Sequence, residues 1–462
     1  MEVAEDPLAE PPEVDDSAED SAQESTEATQ RVESYQDARF VALDQRPLSD
    51  SVKALADQLA GDITKREIAA GKRSRKRSEK QQHQLADAVA RLIADLLTAA
   101  QQRQTRWSYA LLDAGRYSGA EVPYRPFKAA YDGFQRLSYV QVLEGYFQRD
   151  QGFRTGKAAR LRATEALFDL CAAHGITPDT TDAHFYRGLP SDPLVLKRAS
   201  ARHGGQKVGG RGMGKQRSEA AQQLRRDVQE INTFLDNVHM EGGKHAGYRR
   251  IFNEGDRSGF NWNKGGRIYS VGDENYQRMK KRDRLQMRLD GEPVAEIDVK
   301  ASFLTILYAL HGERLDHDRD PYEVQGVERE VVKHWVTMTL GFDRFHKRWP
   351  PEAKKDLEKD LGRLRFTAPQ VQERVLERHP ILKDWPEQKT SCFDLMFLES
   401  EAVVNTILRL KREHGVPCLS VHDSVVVPMP HVSEAKAVLA AEYKAATSAT
   451  PMLEVECADG TA

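Results

Sequence analysis

Glu296-Ile297-Asp298-Val299-Lys300-Ala301-Ser302-Phe303-Leu304-Thr305-Ile306-Leu307-Tyr308 is the stretch whose reading decides the fold. From Pro293 to Val299 the residues alternate, with Ala295, Ile297 and Val299 on one face and Glu296 and Asp298 on the other, which is strand patterning. Leu304, Leu307, Tyr308 and His311 then recur at helical spacing and stop at Gly312, a helix with a glycine end. Asp298 therefore stands where a strand gives way to a helix, a place from which a side chain reaches solvent or ligand.

A second acid lies 125 positions later in Pro417-Cys418-Leu419-Ser420-Val421-His422-Asp423-Ser424-Val425-Val426-Val427-Pro428. Two apolar runs flank His-Asp-Ser, which reads as a β-hairpin with Asp423 at its tip. Two aspartates on adjacent strand ends suit a pair of Mg²⁺ ions that clamp a phosphate during in-line displacement. The same residues also fit a strand-end acid capping the next helix and an unrelated turn acid.

Working outward, the 462-residue chain is long enough for several domains, and 39% hydrophobic with 30% charged residues suits soluble cores. It has no apolar run of membrane-spanning length, and its acidic start is unlike a signal peptide. Cys171, Cys392, Cys418 and Cys457 are far apart and form no CxxC pair, so a reducing, cytoplasmic setting is expected. Residues 1–40 carry a net charge of −11, which leaves +8 on the remainder of a chain whose total is −3. A basic body with an acidic tail points to a polyanionic partner.

Residues 1–45 read as a disordered acidic tail and 46–81, with Lys72-Arg73-Ser74-Arg75-Lys76-Arg77, as a basic linker. Leu85, Val89, Leu92, Ile93, Leu96 and Leu97 mark one helix, and Phe127, Tyr131, Phe134 and Leu137 a second. A strand from Tyr139 to Phe147, a turn-rich tip, a return strand over Ala158–Ala163 and a helix from Thr164 follow. This succession over 82–185 resembles the winged helix of plasmid and phage replication proteins. That resemblance implies that the helix bearing Lys128 enters a DNA groove while Arg154, Lys157 and Arg160 touch phosphate. An ordinary small α+β domain with a basic surface is the other reading. In 186–260 a basic glycine-rich loop (Lys197 to Arg217) precedes a helix marked by Leu224, Val228, Ile231 and Leu235, thumb-like in the expected arrangement.

Across 261–462, Gly266-Arg267-Ile268-Tyr269-Ser270, Asn275-Tyr276-Gln277, Asp298, His422-Asp423-Ser424 and Pro451-Met452-Leu453-Glu454-Val455 occur in an order that resembles the core of the DNA polymerase I (family A) class. The phage-type single-subunit RNA polymerases share this order. Arg249-Arg250-Ile251-Phe252-Asn253 resembles the stretch ahead of the family's Gly-Arg segment. The resemblance implies an α+β palm over 261–312 and 400–462, an antiparallel sheet packed on helices, with helical fingers over 313–399. It implies two Mg²⁺ held by Asp298 and Asp423, with the Val299 carbonyl as a further ligand. Between the acids, Arg329 and Lys333 lie one turn apart on a helix and match the cations that grip an incoming triphosphate. Arg267, His422, Asn275, Gln277 and Arg284 are the other expected substrate-side residues.

The chain departs from the family in three respects. The aromatic residues that close the triphosphate-binding helix are absent, Ser424 stands where the DNA enzymes have an acid, and Phe303 leaves dNTP-versus-NTP choice open. The function expected is template-directed nucleotidyl transfer on primer-template DNA from nucleoside triphosphates, in a phage- or mobile-element-derived replication module. The alternatives are a non-catalytic replication initiator with a degenerate palm and a two-metal nuclease.

Overall fold

The structure, a computed structural model, describes residues 37–462 apart from 118–119, 151–152, 204–205, 273–274, 343, 459 and 462. Most of the acidic tail, residues 1–36, lies outside the described residues. The chain is α+β and divides into two compact units. One holds the residues up to Asp113 with Tyr124–Tyr186, the other Ala114–Pro123 with Arg187–Ala462. No helix among the described residues is long and apolar enough to cross a membrane.

In the first unit, order begins earlier than the tail-and-linker reading expects. Ala38–Phe40 forms strand β1 and Asp50–Ala69 forms helix α1. The charge of this region masks a helical apolar stripe, Val52, Leu55, Leu59 and Ile63, all buried. Ser49 caps the helix through Val52 N–H. Of the basic run, Arg77 is tucked in, pairing with Glu67 at 2.8 Å. The stripe read from Leu85 onward lies on α2, Glu79–Gln102, started by a Ser78–Gln81 capping box. Arg39 of β1 reaches the equally buried Asp95 of α2 at 2.8 Å.

Next come β2 (Trp107–Ala110), α3 (Tyr124–Arg136), β3 (Val140–Leu143), the hairpin β4 (Tyr146–Asp150) and β5 (Phe153–Lys157), β6 (Ala159–Ala163) and α4 (Glu165–Ala173). The sheet order is β1-β2-β6-β3. One register runs through the long ribbon: Leu143 pairs with Arg160 and Tyr146 with Lys157. The ribbon is broken only around Gly145, where a Cβ would lie 2.6 Å from the Lys157 carbonyl. The sequence reading over 82–185 expects two helices, a strand, a tip, a return strand and a helix; β2 between the helices is not among them, and the single ribbon is divided into β3 with β6 and β4 with β5.

The second unit is built on a sheet whose central strand is β10. Before it lie β7 (Leu194–Leu196), α5 (Glu219–Leu235), β8 (Tyr248–Phe252) and β9 (Gly265–Ser270), with β7, β8 and β9 in a separate three-stranded sheet. The glycine-rich stretch contributes an antiparallel pair, Ala201–His203 with Gln206–Val208. Strand β10, Glu292–Val299, leads into α6, Ser302–Leu310, through Ala301 at φ 51°, a left-handed turn. Helices α7 (Arg329–Leu340), α8 (Pro351–Leu361), α9 (Ala368–Arg378) and α10 (Cys392–Arg409) follow. The chain then adds β11 (Leu419–Val421), β12 (Ser424–Pro428), α11 (Val432–Thr447) and β13 (Leu453–Cys457). Strand β10 pairs antiparallel with β12 on one side and β13 on the other, so Asp298 faces both Ser424 and Glu454.

The sequence alternation of β10 implies a polar open face, yet Glu296 is only 3% exposed. Arg284 explains this. Its guanidinium grips both Glu296 oxygens, at 2.9 and 3.1 Å, and the Ser424 hydroxyl lies 3.1 Å from the same carboxylate. A buried charge that loses its partner is strongly destabilising. Arg284→Ala is therefore expected to lower the unfolding free energy by about 3 kcal/mol, read as a drop in urea midpoint at unchanged slope.

Candidate functional site

Three chain segments meet at one cavity of about 840 Å³ in the second unit. The end of β10 brings Asp298 and Val299, the turn between β11 and β12 brings His422 and Asp423, and the inner face of α7 brings Arg329, Lys333 and Thr337. The turn needs its local geometry. Val421 pairs with Ser424, leaving His422 and Asp423 as a two-residue loop in which His422 takes φ 56°. Because Ser424 is opposite Asp298, Asp423 stands one residue beyond it on the adjacent strand end, and both acids line the same cavity.

Electrostatics show how closely the two acids share that space. Burial, and then the charge of Asp423, push the Asp298 carboxyl up to about 6. Burial, and then the charge of Glu399, push Asp423 up to about 7, against the pull of Arg267 and Lys333. Lys333 also stabilises the Asp298 anion. Burial and the neighbouring Arg267 and Arg284 hold the His422 imidazole below its ordinary value, so it is neutral at neutral pH.

Glu399, on α10, is a cavity-lining acid that the sequence reading missed; it is 1% exposed. Glu399 and Glu401 among Leu395, Leu398, Ala402 and Val403 look like ordinary helix decoration, and only its pairing with Arg267 sets Glu399 apart as a cavity residue. Arg267 of β9 donates Nε–H to it at 2.9 Å, and its guanidinium lies 5.4 Å from the Phe303 ring centre. Tyr322 was missed for a different reason. It stands between α6 and α7, outside any strand or helix pattern in the sequence, yet it lines the cavity beneath Arg329.

Other expected residues lie elsewhere. Asn275, Gln277 and Arg284 are absent from the cavity lining. Asn275 donates to the Ser270 carbonyl at 3.2 Å, Gln277 to the Ser420 carbonyl at 2.8 Å, and Arg284 to Glu296. They brace the strand ends rather than face a ligand. Arg329 reaches the cavity with its guanidinium bonded to Asp320 and Glu330. In the first unit, Lys128 on α3 is half-exposed and bonded to Asp132 at 2.6 Å. Lys157 on β5 is exposed. Arg154 is on the β5 backbone, and its side chain lies outside the described residues. Arg160 corrects the expectation of a phosphate contact. It is 7% exposed, donates to the Ala158 carbonyl at 2.7 Å and lies over the Tyr109 ring. On β6 it pairs with Tyr109 of β2, whose ring covers it.

The donor chemistry fits a hard divalent cation. Asp298 and Asp423 are oxygen donors whose joint ionisation is opposed by burial and neighbouring charge, which a cation between them would relieve. Among the described residues no group of three or more His, Cys, Asp or Glu is arranged to hold a metal. Mg²⁺ commonly binds through one or two carboxylates and leaves its other positions to water and phosphate.

No protein-family model matches the chain, and no curated protein matches it. Among solved structures it is similar to the POL domain of Pol1 from M. smegmatis, solved in complex with a DNA primer-template and dNTP. The identity is 14%, covering 41% of this chain and 45% of that one, with a TM-score of 0.28. The chain thus spans less than half of that domain's length, and the functional reading rests on the side chains described above.

The carboxyl shifts have a sign that can be tested. Both acids have folded-state values raised above the unfolded value of about 3.9, so the stabilisation they provide is complete below that pH. It is lost as pH rises through about 6 and 7. In chelator, thermal melts between pH 5 and 8 are expected to show the parent losing on the order of 2 kcal/mol relative to Asp423→Asn. Parallel curves for the two proteins would remove the shared-charge account.

Proposed function

We propose that this chain is a template-directed nucleotidyltransferase that extends a primer from nucleoside triphosphates with Mg²⁺. The observation that carries the reading is the meeting of Asp298 and Asp423, from strand ends far apart in sequence, in one cavity faced by Lys333. The order of landmarks in the sequence supports the same reading.

Phosphoryl transfer asks for positioning and charge neutralisation more than for covalent work by the protein. Asp298 and Asp423 would hold the divalent ions, with the Val299 carbonyl beside them. When bound, such ions make the attacking hydroxyl more acidic and offset charge on the leaving pyrophosphate. Lys333, with Arg329 one turn before it on α7, presents positive charge to the triphosphate. His422, neutral and next to Asp423, shapes the wall at the primer side. Arg267 is fixed by Glu399 across the Phe303 ring and borders the nucleotide space. The first unit, with its hairpin carrying Lys157, is proposed as the duplex-binding part.

Primer extension with dNTPs and NTPs in parallel tests the proposal. Asp423→Ala is expected to lower extension on the order of 10³-fold. Lys333→Ala is expected to raise KM for the triphosphate about tenfold, the loss of one charge-assisted contact. Cleavage of the labelled primer that persists in Lys333→Ala, with no extension by the parent, would identify a nuclease instead. For the first unit, Lys157→Ala is expected to weaken duplex binding and reduce the salt slope by about 1. An unchanged slope removes Lys157 from the interface.

A further inference from the structure

The α6–α7 connection reads in sequence as a solvated loop ending at Asp320-Pro321-Tyr322, but the structure gives it three anchors. Asp320 accepts the Tyr322 backbone N–H at 2.9 Å and also binds the Arg329 guanidinium. His379, fully buried just after α9, donates Nε2–H to the Pro321 carbonyl at 2.7 Å. Its Nδ1 accepts from the Tyr308 hydroxyl of α6 at 3.0 Å, which fixes the neutral ring in that tautomer. Burial keeps this imidazole below its ordinary value, consistent with one donor and one acceptor nitrogen.

The anchored loop delivers Tyr322 to the wall of the cavity that holds Asp298, Asp423 and Lys333. The Arg329 guanidinium lies over its ring, 5.4 Å from the centre. Helix α7 lines the same cavity with Arg329, Lys333, Val336, Thr337 and Leu340, none of them aromatic. The other cavity aromatic, Phe303, already carries Arg267 on its ring. Burial, and then the charge of Asp423, push the Tyr322 phenol up to about 12, so at working pH it keeps its proton and is a donor.

We propose that Tyr322 is a substrate-binding residue for the triphosphate of the incoming nucleotide, its hydroxyl donating to a phosphate oxygen and its ring seating Arg329 against the same group. The inference rests on the nucleotidyl-transfer reading. Asp320 is the residue that holds Arg329 in place until the triphosphate competes for it.

The full-length protein, with primer-template and Mg²⁺, tests this through steady-state extension and through equilibrium binding of a fluorescent dNTP to a chain-terminated primer complex. Tyr322→Phe keeps the ring and removes the donor, and is expected to raise Kd and KM about fivefold with kcat within about twofold. Tyr322→Ala removes both and is expected to raise them further. Adding Arg329→Ala to it should then cost little more, because the two side chains act as a unit. Binding of the matching nucleoside without phosphates should be equal in all variants. If the parent extends primers and both Tyr322 variants keep its Kd and KM, this inference is overturned and the polymerase reading stands. If the parent neither binds nor extends, both are overturned.

Discussion

The register of β10 against β12 is the constraint on which the site depends. Side chains alternate faces along a strand, so a slip of one residue would turn Asp298 away from the cavity. Glu296 lies two residues before Asp298 and so shares its face. Its buried grip by Arg284, shared with the Ser424 hydroxyl, fixes that face from beneath. The left-handed residues Ala301 and His422 then end the two strands abruptly, leaving both aspartates at the rim. Non-glycine residues in that conformation cost about 1 kcal/mol each or more, and here they coincide with the two points at which the backbone must leave the sheet.

Around this frame the cavity is a mixed-charge site in which three of the lining cations are held by acids. Arg267 is committed to Glu399, Lys300 to Glu454 at 2.9 Å, and Arg329 to Asp320. Lys333, on the cavity side of α7, acts on both Asp298 and Asp423. Burial raises both carboxyls more than the neighbouring cations lower them, as expected where charge is withdrawn from water.

Much of this was legible in the sequence because period and punctuation agree. The strand alternation before Asp298, the helical repeat after it and the paired apolar runs about His422-Asp423 all correspond to elements with nearby bounds. Residues whose meaning depends on a distant partner were not legible. Glu399 is one acid on a helix until Arg267 is placed across from it, and Arg284 reads as a substrate-side base until Glu296 is seen buried beside it. In the first unit a run of charges concealed the α1 stripe. Arg160, meanwhile, is covered by the Tyr109 ring beside it on β2, a cross-strand contact that a list of basic residues does not convey.

Ser424 shows how the sheet interior limits what can follow Asp423. Its side chain is 2% exposed, 2.8 Å from the Val421 carbonyl and 3.1 Å from Glu296. A carboxylate in its place would be enclosed next to another, with one guanidinium to serve both. A carboxylate directly after Asp423 is thus opposed by the interior of the sheet rather than by anything in the cavity, because Glu296 and its Arg284 partner already occupy that space.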